Sequence, residues 1–209
     1  MGLRKSNTPE PLHEVVGREH ARDVEGLMAQ LRDGDVDQRR WAARDLARQP
    51  QASGLLGEQL LQETEPSVRE ALLTSLSAIA GDGAVAALLP LLRSEDAQLR
   101  NGAIEALAGM PLAVAPRVAA LLHDADSDVR IFTVNLLGDL RHAQVLPWLL
   151  QVLKFEPEVN VVAAAIEVLA EVGSPGDADA LRATRTRFVD DAFIGFATDM
   201  AISRIEVAR

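Results

Sequence analysis

DVDQRRWAARDLA (residues 35–47), EPSVREALLTSLS (65–77), DAQLRNGAIEALA (96–108) and DSDVRIFTVNLLG (126–138) align without a gap. Each stretch opens on an acid and places Arg four residues on. A small or apolar pair follows three and four after the Arg, and Leu stands seven after. The anchors are Arg39, Arg69, Arg100 and Arg130, spaced 30, 31 and 30 residues apart. Two weaker copies follow. EPEVNVVAAAIEVLA (156–170) carries Val162 in the Arg slot, and DAFIGFATDMA (191–201) carries Ile194 there. Self-similarity at a fixed period of this length marks an array of repeated supersecondary units.

Ahead of the anchors run VEGLMAQLR (24–32), AVAALLPLLR (84–93), APRVAALLH (115–123) and LPWLLQVLK (146–154). Their apolar residues recur at three and four, the period of a helix with one buried face. Each repeat therefore reads as two helices, with second helices starting near residues 36, 66, 97, 127, 159 and 191. Pro116 and Pro147 are placed near helix starts, where a missing N–H costs nothing, and Pro90 is expected to kink its helix. Composition agrees: apolar residues make up 48 %, mostly Ala and Leu, while aromatics are 3 % and Tyr is absent. Such a set favours helix over sheet. The expected fold is all-α, a right-handed solenoid of about six helical hairpins over residues 22–209. Residues 1–21 read as a tail, with a short helix around Leu12–His20.

A carboxylate recurs four residues before every anchor: Asp35, Glu65, Asp96, Asp126, Glu158 and Asp190. It stands where a second helix begins, so it can cap free N–H groups and complement the helix dipole. The anchor arginines are expected to reach an acid of an adjacent repeat, so that Arg39, Arg69, Arg100 and Arg130 with Asp35, Glu65, Asp96 and Asp126 form a structural ladder. Asp33-x-Asp35-x-Asp37 and Asp124-x-Asp126-x-Asp128 resemble the opening of a calcium loop. Neither has Gly at position six or Glu at position twelve, so both read as solvated turn acids.

The string D/E-x-x-V/L-R-x-x-A-…-L in short helix pairs resembles the HEAT repeat, and within it the short phycobilisome-lyase class. The likeness covers about residues 22–205. It implies an α-solenoid, and the motif is specific for fold and very unspecific for function. The last two copies depart from it by losing Arg, which marks the C-terminal end as a cap or a docking surface. Some HEAT-like proteins are enzymes. A di-iron hydroxylase of this likeness needs several His-Glu pairs, and this chain has one, His13-Glu14. The chromophore lyases attach or remove phycobilins; an accessory protein of that kind is the second functional reading, although this chain offers neither Cys nor Tyr.

Cysteine is absent, so disulfides, thiol catalysis and Cys-based zinc sites are excluded. No metal or cofactor is expected. No apolar run approaches the ~20 residues needed to cross a bilayer, and the stretch MGLRKSNTPEPLHE lacks the apolar core of a secretory signal. A cytoplasmic, membrane-free protein is expected. The net charge of −10 opposes general binding to nucleic-acid backbones, although Arg32, Arg39, Arg40, Arg44 and Arg48 make the first repeat locally basic. The expected function is a non-enzymatic adaptor that binds another protein on the concave face, which second helices line. Positions one, two, five and nine after each anchor should face outward there. The candidate contact residues are Arg40, Trp41, Arg44, Arg48, Asn101, Glu105, Ile131, Phe132, Asn135 and Phe196. Trp and Arg suit binding hot spots, and Ile131, Phe132 and Phe196 are large apolar groups that the register leaves open to water.

Overall fold

The computed structural model describes residues 20–207, so the expected N-terminal helix around Leu12–His20 lies almost wholly outside the described residues. Twelve helices follow one another: α1 (Val24–Asp33), α2 (Val36–Leu46), α3 (Ser53–Gln62), α4 (Pro66–Ile79), α5 (Gly81–Leu88), α6 (Ala97–Ala108), α7 (Pro111–Leu121), α8 (Ser127–Asp139), α9 (Val145–Phe155), α10 (Val159–Val172), α11 (Ala178–Arg187) and α12 (Ala192–Val207). No strand occurs among the described residues. Odd and even helices pair into six hairpins, and the hairpins stack as an α-solenoid.

Local chemistry sets the helix starts. Asp35 accepts from the Gln38 N–H at 2.8 Å while its own N–H donates to Gln38 Oε1 at 2.9 Å, a reciprocal cap. Asp96 accepts from Gln98 and Leu99, and Asp126 from Asp128. Glu65 and Glu158 hold the same place without a side-chain cap bond. At α12 the cap is Asp191, whose Oδ1 accepts the Ile194 N–H at 2.9 Å, rather than Asp190. Proline positions differ from the sequence expectation in one hairpin. Pro111 occupies the first turn of α7, so that helix starts earlier and Pro116 lies inside it. Pro90 falls where α5 gives way to a 3-10 turn, Leu89–Arg93. Between α4 and α5 the chain turns on Ala80 and Gly81, at φ of 54° and 76°. A link this short needs the left-handed backbone that glycine adopts without strain.

The leucines seven after each anchor, Leu46, Leu76, Leu107, Leu137 and Leu169, are all fully buried and form a continuous spine. Neighbouring second helices pack along one another without a break from α2 through α12, whereas among first helices α3 packs well on α5 and α9 on α11 but α1 barely meets α3 and α7 barely meets α9. An array of two layers bends toward its closer-packed layer, so α2, α4, α6, α8, α10 and α12 line the concave side.

Candidate partner-binding face

The anchor arginines share one backbone contact. Arg69, Arg100 and Arg130 each donate to the carbonyl six residues earlier, on Glu63 (2.6 Å), Ser94 (2.7 Å) and Asp124 (2.8 Å). Arg39 reaches one residue less, to Gly34 at 3.0 Å. These carbonyls lie just beyond first helices, where no intrahelical donor reaches them. Val162 cannot serve in this way. The corresponding carbonyl of Glu156 instead accepts from Arg187 of the next hairpin at 2.6 Å, and Leu153 O accepts from the same guanidinium at 2.8 Å. The structural need persists where the motif residue is lost, and another repeat supplies the donor.

The acids of the ladder need correction. Arg39 grips Glu63 through two bonds (3.0 and 3.2 Å), and Arg130 grips Glu156 likewise (2.9 and 3.0 Å). Glu63 and Glu156 stand two residues ahead of the recurring acid, at the ends of first helices, where the alignment gave no reason to look. Among the described residues only Arg69 meets an aligned acid, Asp96, at 2.6 Å, while Asp35 and Glu65 pair with no anchor arginine and Arg100 meets no acid. Its counterparts, Asp124 and Asp126, are taken by Arg93 at 2.5 and 3.5 Å. The Arg100 guanidinium lies instead over the Phe132 ring, 4.4 Å from its centroid. Asp126 thus meets Arg93, not an anchor. The guanidinium of Arg93 holds the Asp124 carboxyl below the usual range, and that of Arg69 does the same for Asp96. Burial pushes Glu63 upward, but the N–H groups of Glu65 and Thr64 and the Arg39 guanidinium outweigh it, and the net shift is downward.

Along the concave face, the fifth residue after every anchor is exposed: Arg44, Thr74, Asn101's neighbour Glu105, Asn135, Glu167 and Asp199. Asn101 is exposed as well. In the first repeat Trp41 is 55 % exposed and Arg44 and Arg48 are open. Arg40 is half-buried beside Asp37 at 2.7 Å, and Arg39 is committed to Glu63, so the basic cluster is smaller than its sequence suggests. Ile131 and Phe132 are half-buried against the core, whereas Phe196 is 66 % exposed. The expectation that all three stand open holds for Phe196 alone, because Arg100 lies over Phe132. Phe132→Ser is therefore expected to lower stability by about 2–3 kcal/mol, from lost burial and the lost ring–cation contact. Phe196→Ser should change it by about 0.5 kcal/mol or less, as at other exposed positions. Paired thermal melts check this, and equal losses would contradict the placement.

Three grooves lie end to end on this face. The first, about 870 Å³, is bordered by Glu70, Thr74, Asn101 and Glu105. The second, about 520 Å³, adds Phe132, Asn135 and Asp139 and shares Asn101 and Glu105 with the first. The third, about 930 Å³, shares Asn135 with the second and continues to Glu167, Phe196 and Met200. Shared walls make them one trough. Exposed Phe193 and Met200, which border its last part, were missed by reading outward positions from the Arg register alone. Among the described residues no group of three His, Asp or Glu side chains is arranged to hold a metal ion, and no helix is long and apolar enough to cross a membrane.

Family-model matches to HEAT repeats cover residues 24–108 and 114–191, and the chain belongs to this family. Among solved structures, Cex1p is 14 % identical over 88 % of this chain and 42 % of its own, with a TM-score of 0.50, and shares the fold. A computationally designed armadillo repeat protein for modular peptide recognition is 14 % identical, covering 88 % of this chain and all of its own, with a TM-score of 0.41. The complex of CpcE and CpcF of phycocyanin lyase from Nostoc sp. PCC7120 is 16 % identical over 94 % of this chain and all of the matched one, with a TM-score of 0.32. The last two superpose too loosely to carry an argument. No curated protein matches the sequence.

Proposed function

We propose that this protein is a non-catalytic scaffold that holds a segment of a partner protein in its concave trough. The continuity of that trough supports the reading: three grooves with shared walls run from Glu65 on α4 to Val207 on α12. A solenoid offers an extended surface of this kind because each repeat contacts only its neighbours. The charge within it disfavours nucleic acid. Glu70, Glu105, Asp139 and Glu167 make no ion pair among the described residues, and a phosphate backbone would meet them with like charge.

The test is capture from lysate of the source cells on three immobilised forms: the unaltered chain, Glu105→Arg with Asn135→Arg in the trough, and Arg117→Glu on α7 of the outer layer. A partner retained by the first and third and lost by the second supports the scaffold reading. Retention by the trough variant together with loss by the Arg117 variant would place binding on the convex side and refute it.

A further inference from the structure

The last second helix is unlike the internal ones. Position six after the anchor is occupied by Ser75, Ala106, Leu136 and Val168 in α4 to α10, all buried, and by Met200 in α12, which is 56 % exposed. The residue just before the anchor repeats the pattern. Val68, Leu99, Val129 and Val161 are buried, and Phe193 is 59 % exposed. This side of a second helix normally packs on the preceding one. Ser75 Oγ donates to Ala43 O of α2 at 2.8 Å, and a Cβ built on Gly102 would meet Leu73 of α4. In α12 only a narrow stripe is buried, Ile194, Thr198, Ala201 and Ile205. α12 still packs along α10, and on the concave side of that seam lies the third groove, with Phe193, Phe196 and Met200 along one wall and Ala163 and Ala164 along the other.

The groove takes only some occupants. Phe193, Phe196, Met200 and Val207 lie along one face of α12, interrupted by Ser203, over roughly 21 Å at 1.5 Å per residue. An extended peptide could meet Asn135, Asn160, Glu167 and Ser203 at the groove's borders, but along Phe193, Phe196 and Met200 its N–H and C=O groups would find no partner. A helix satisfies those groups internally and packs by its side chains. The opposite wall carries Glu167, which makes no ion pair among the described residues. Arg204 also borders the groove, and it turns to Glu171 at 3.6 Å. The outer face of α11 is polar, with Asp179, Arg182 and Arg185 exposed, so the array does not present the apolar end needed for a further whole hairpin or a second copy stacked end on.

We propose that the groove between α10 and α12 receives an amphipathic helix of a partner protein, with its apolar flank on Phe193, Phe196 and Met200 and its lysine or arginine flank toward Glu167. This rests on the scaffold reading and specifies its occupant. The acidic chain would also draw a basic helix in by long-range attraction.

The probe is a fluorescein-labelled peptide of leucine and lysine, with leucines at helical three-and-four spacing. A scrambled peptide of equal composition and a leucine–glutamate version are compared, each titrated by anisotropy with the full chain. The patterned lysine peptide is expected to bind at least about tenfold tighter than either, as for engagement of a hot-spot cluster. Phe196→Ser with Met200→Ser should cost at least about tenfold at unchanged circular dichroism, and Glu167→Lys should shift preference toward the glutamate peptide. Equal binding of the scrambled peptide, or undiminished binding by the serine variant, overturns the proposal. So does sedimentation showing self-association that the serine variant abolishes, since the occupant would then be a second copy. If lysate capture is lost in Glu105→Arg with Asn135→Arg but survives the serine changes, the helix groove fails while the scaffold reading stands.

Discussion

Arg130→Ala is expected to lower the unfolding free energy by about 3–5 kcal/mol, the range for removing one member of a buried ion pair. Both partners are shielded, with side-chain exposures of 12 % for Arg130 and 7 % for Glu156. Two parallel bonds join them, and the same guanidinium serves the Asp124 carbonyl. The substitution therefore strands a buried carboxylate and a helix-end carbonyl together. Arg130→Lys should rescue little, because an ammonium cannot match the planar two-bond geometry. Arg69→Ala should cost less, as its partner Asp96 is 40 % exposed and water can replace the bond. Urea denaturation of the three variants orders these losses. A change below about 1 kcal/mol for Arg130→Ala would show the pair to be energetically idle.

Val162→Arg restores the family arginine to the fifth repeat, yet it is expected to destabilise the chain by about 2–4 kcal/mol, as for an overpacked site holding an unmatched charge. Val162 is fully buried, and the carbonyl that an arginine there would seek already accepts from Arg187. Glu156 is likewise held by Arg130. The new guanidinium would enter a filled site with no acceptor left. Combining Val162→Arg with Arg187→Ala frees the Glu156 and Leu153 carbonyls and should recover part of the loss, so the two effects are not additive. A neutral or stabilising Val162→Arg by thermal and urea unfolding would mean that the slot retains free acceptors, contrary to the structure.

Much of the architecture is legible because it is local. Helical period, capping carboxylates and the recurring Leu act within a dozen residues, and a repeat presents the same signals several times over. The candidate face is legible in part for the same reason. Positions such as Glu105, Asn135 and Phe196 lie on the open side of a helix whose phase the motif sets. Phe132 shows the limit. Its phase is that of Phe196, but Arg100 comes from another repeat to cover it, and no periodicity within one helix reports on a neighbour's side chain. Glu63 and Glu156 escaped notice because they sit two residues out of register with the capping acids and gain their role from arginines 24 and 26 residues away.

What the sequence determined by itself is therefore the repeat, the helix phase and the buried spine, since each follows from spacing along one chain segment. The tertiary structure alone decided which acid each arginine holds. With Arg93 occupying Asp124 and Asp126, Arg100 was left to Phe132, and with Val162 in the arginine slot, Arg187 took over the free carbonyls. It also decided that α12 buries only a narrow stripe and leaves Phe193, Phe196 and Met200 open beside α10. The physical reason is that long polar side chains compete for partners across repeat boundaries and helices settle by the fit of whole faces, and both outcomes depend on neighbours brought together only by the fold.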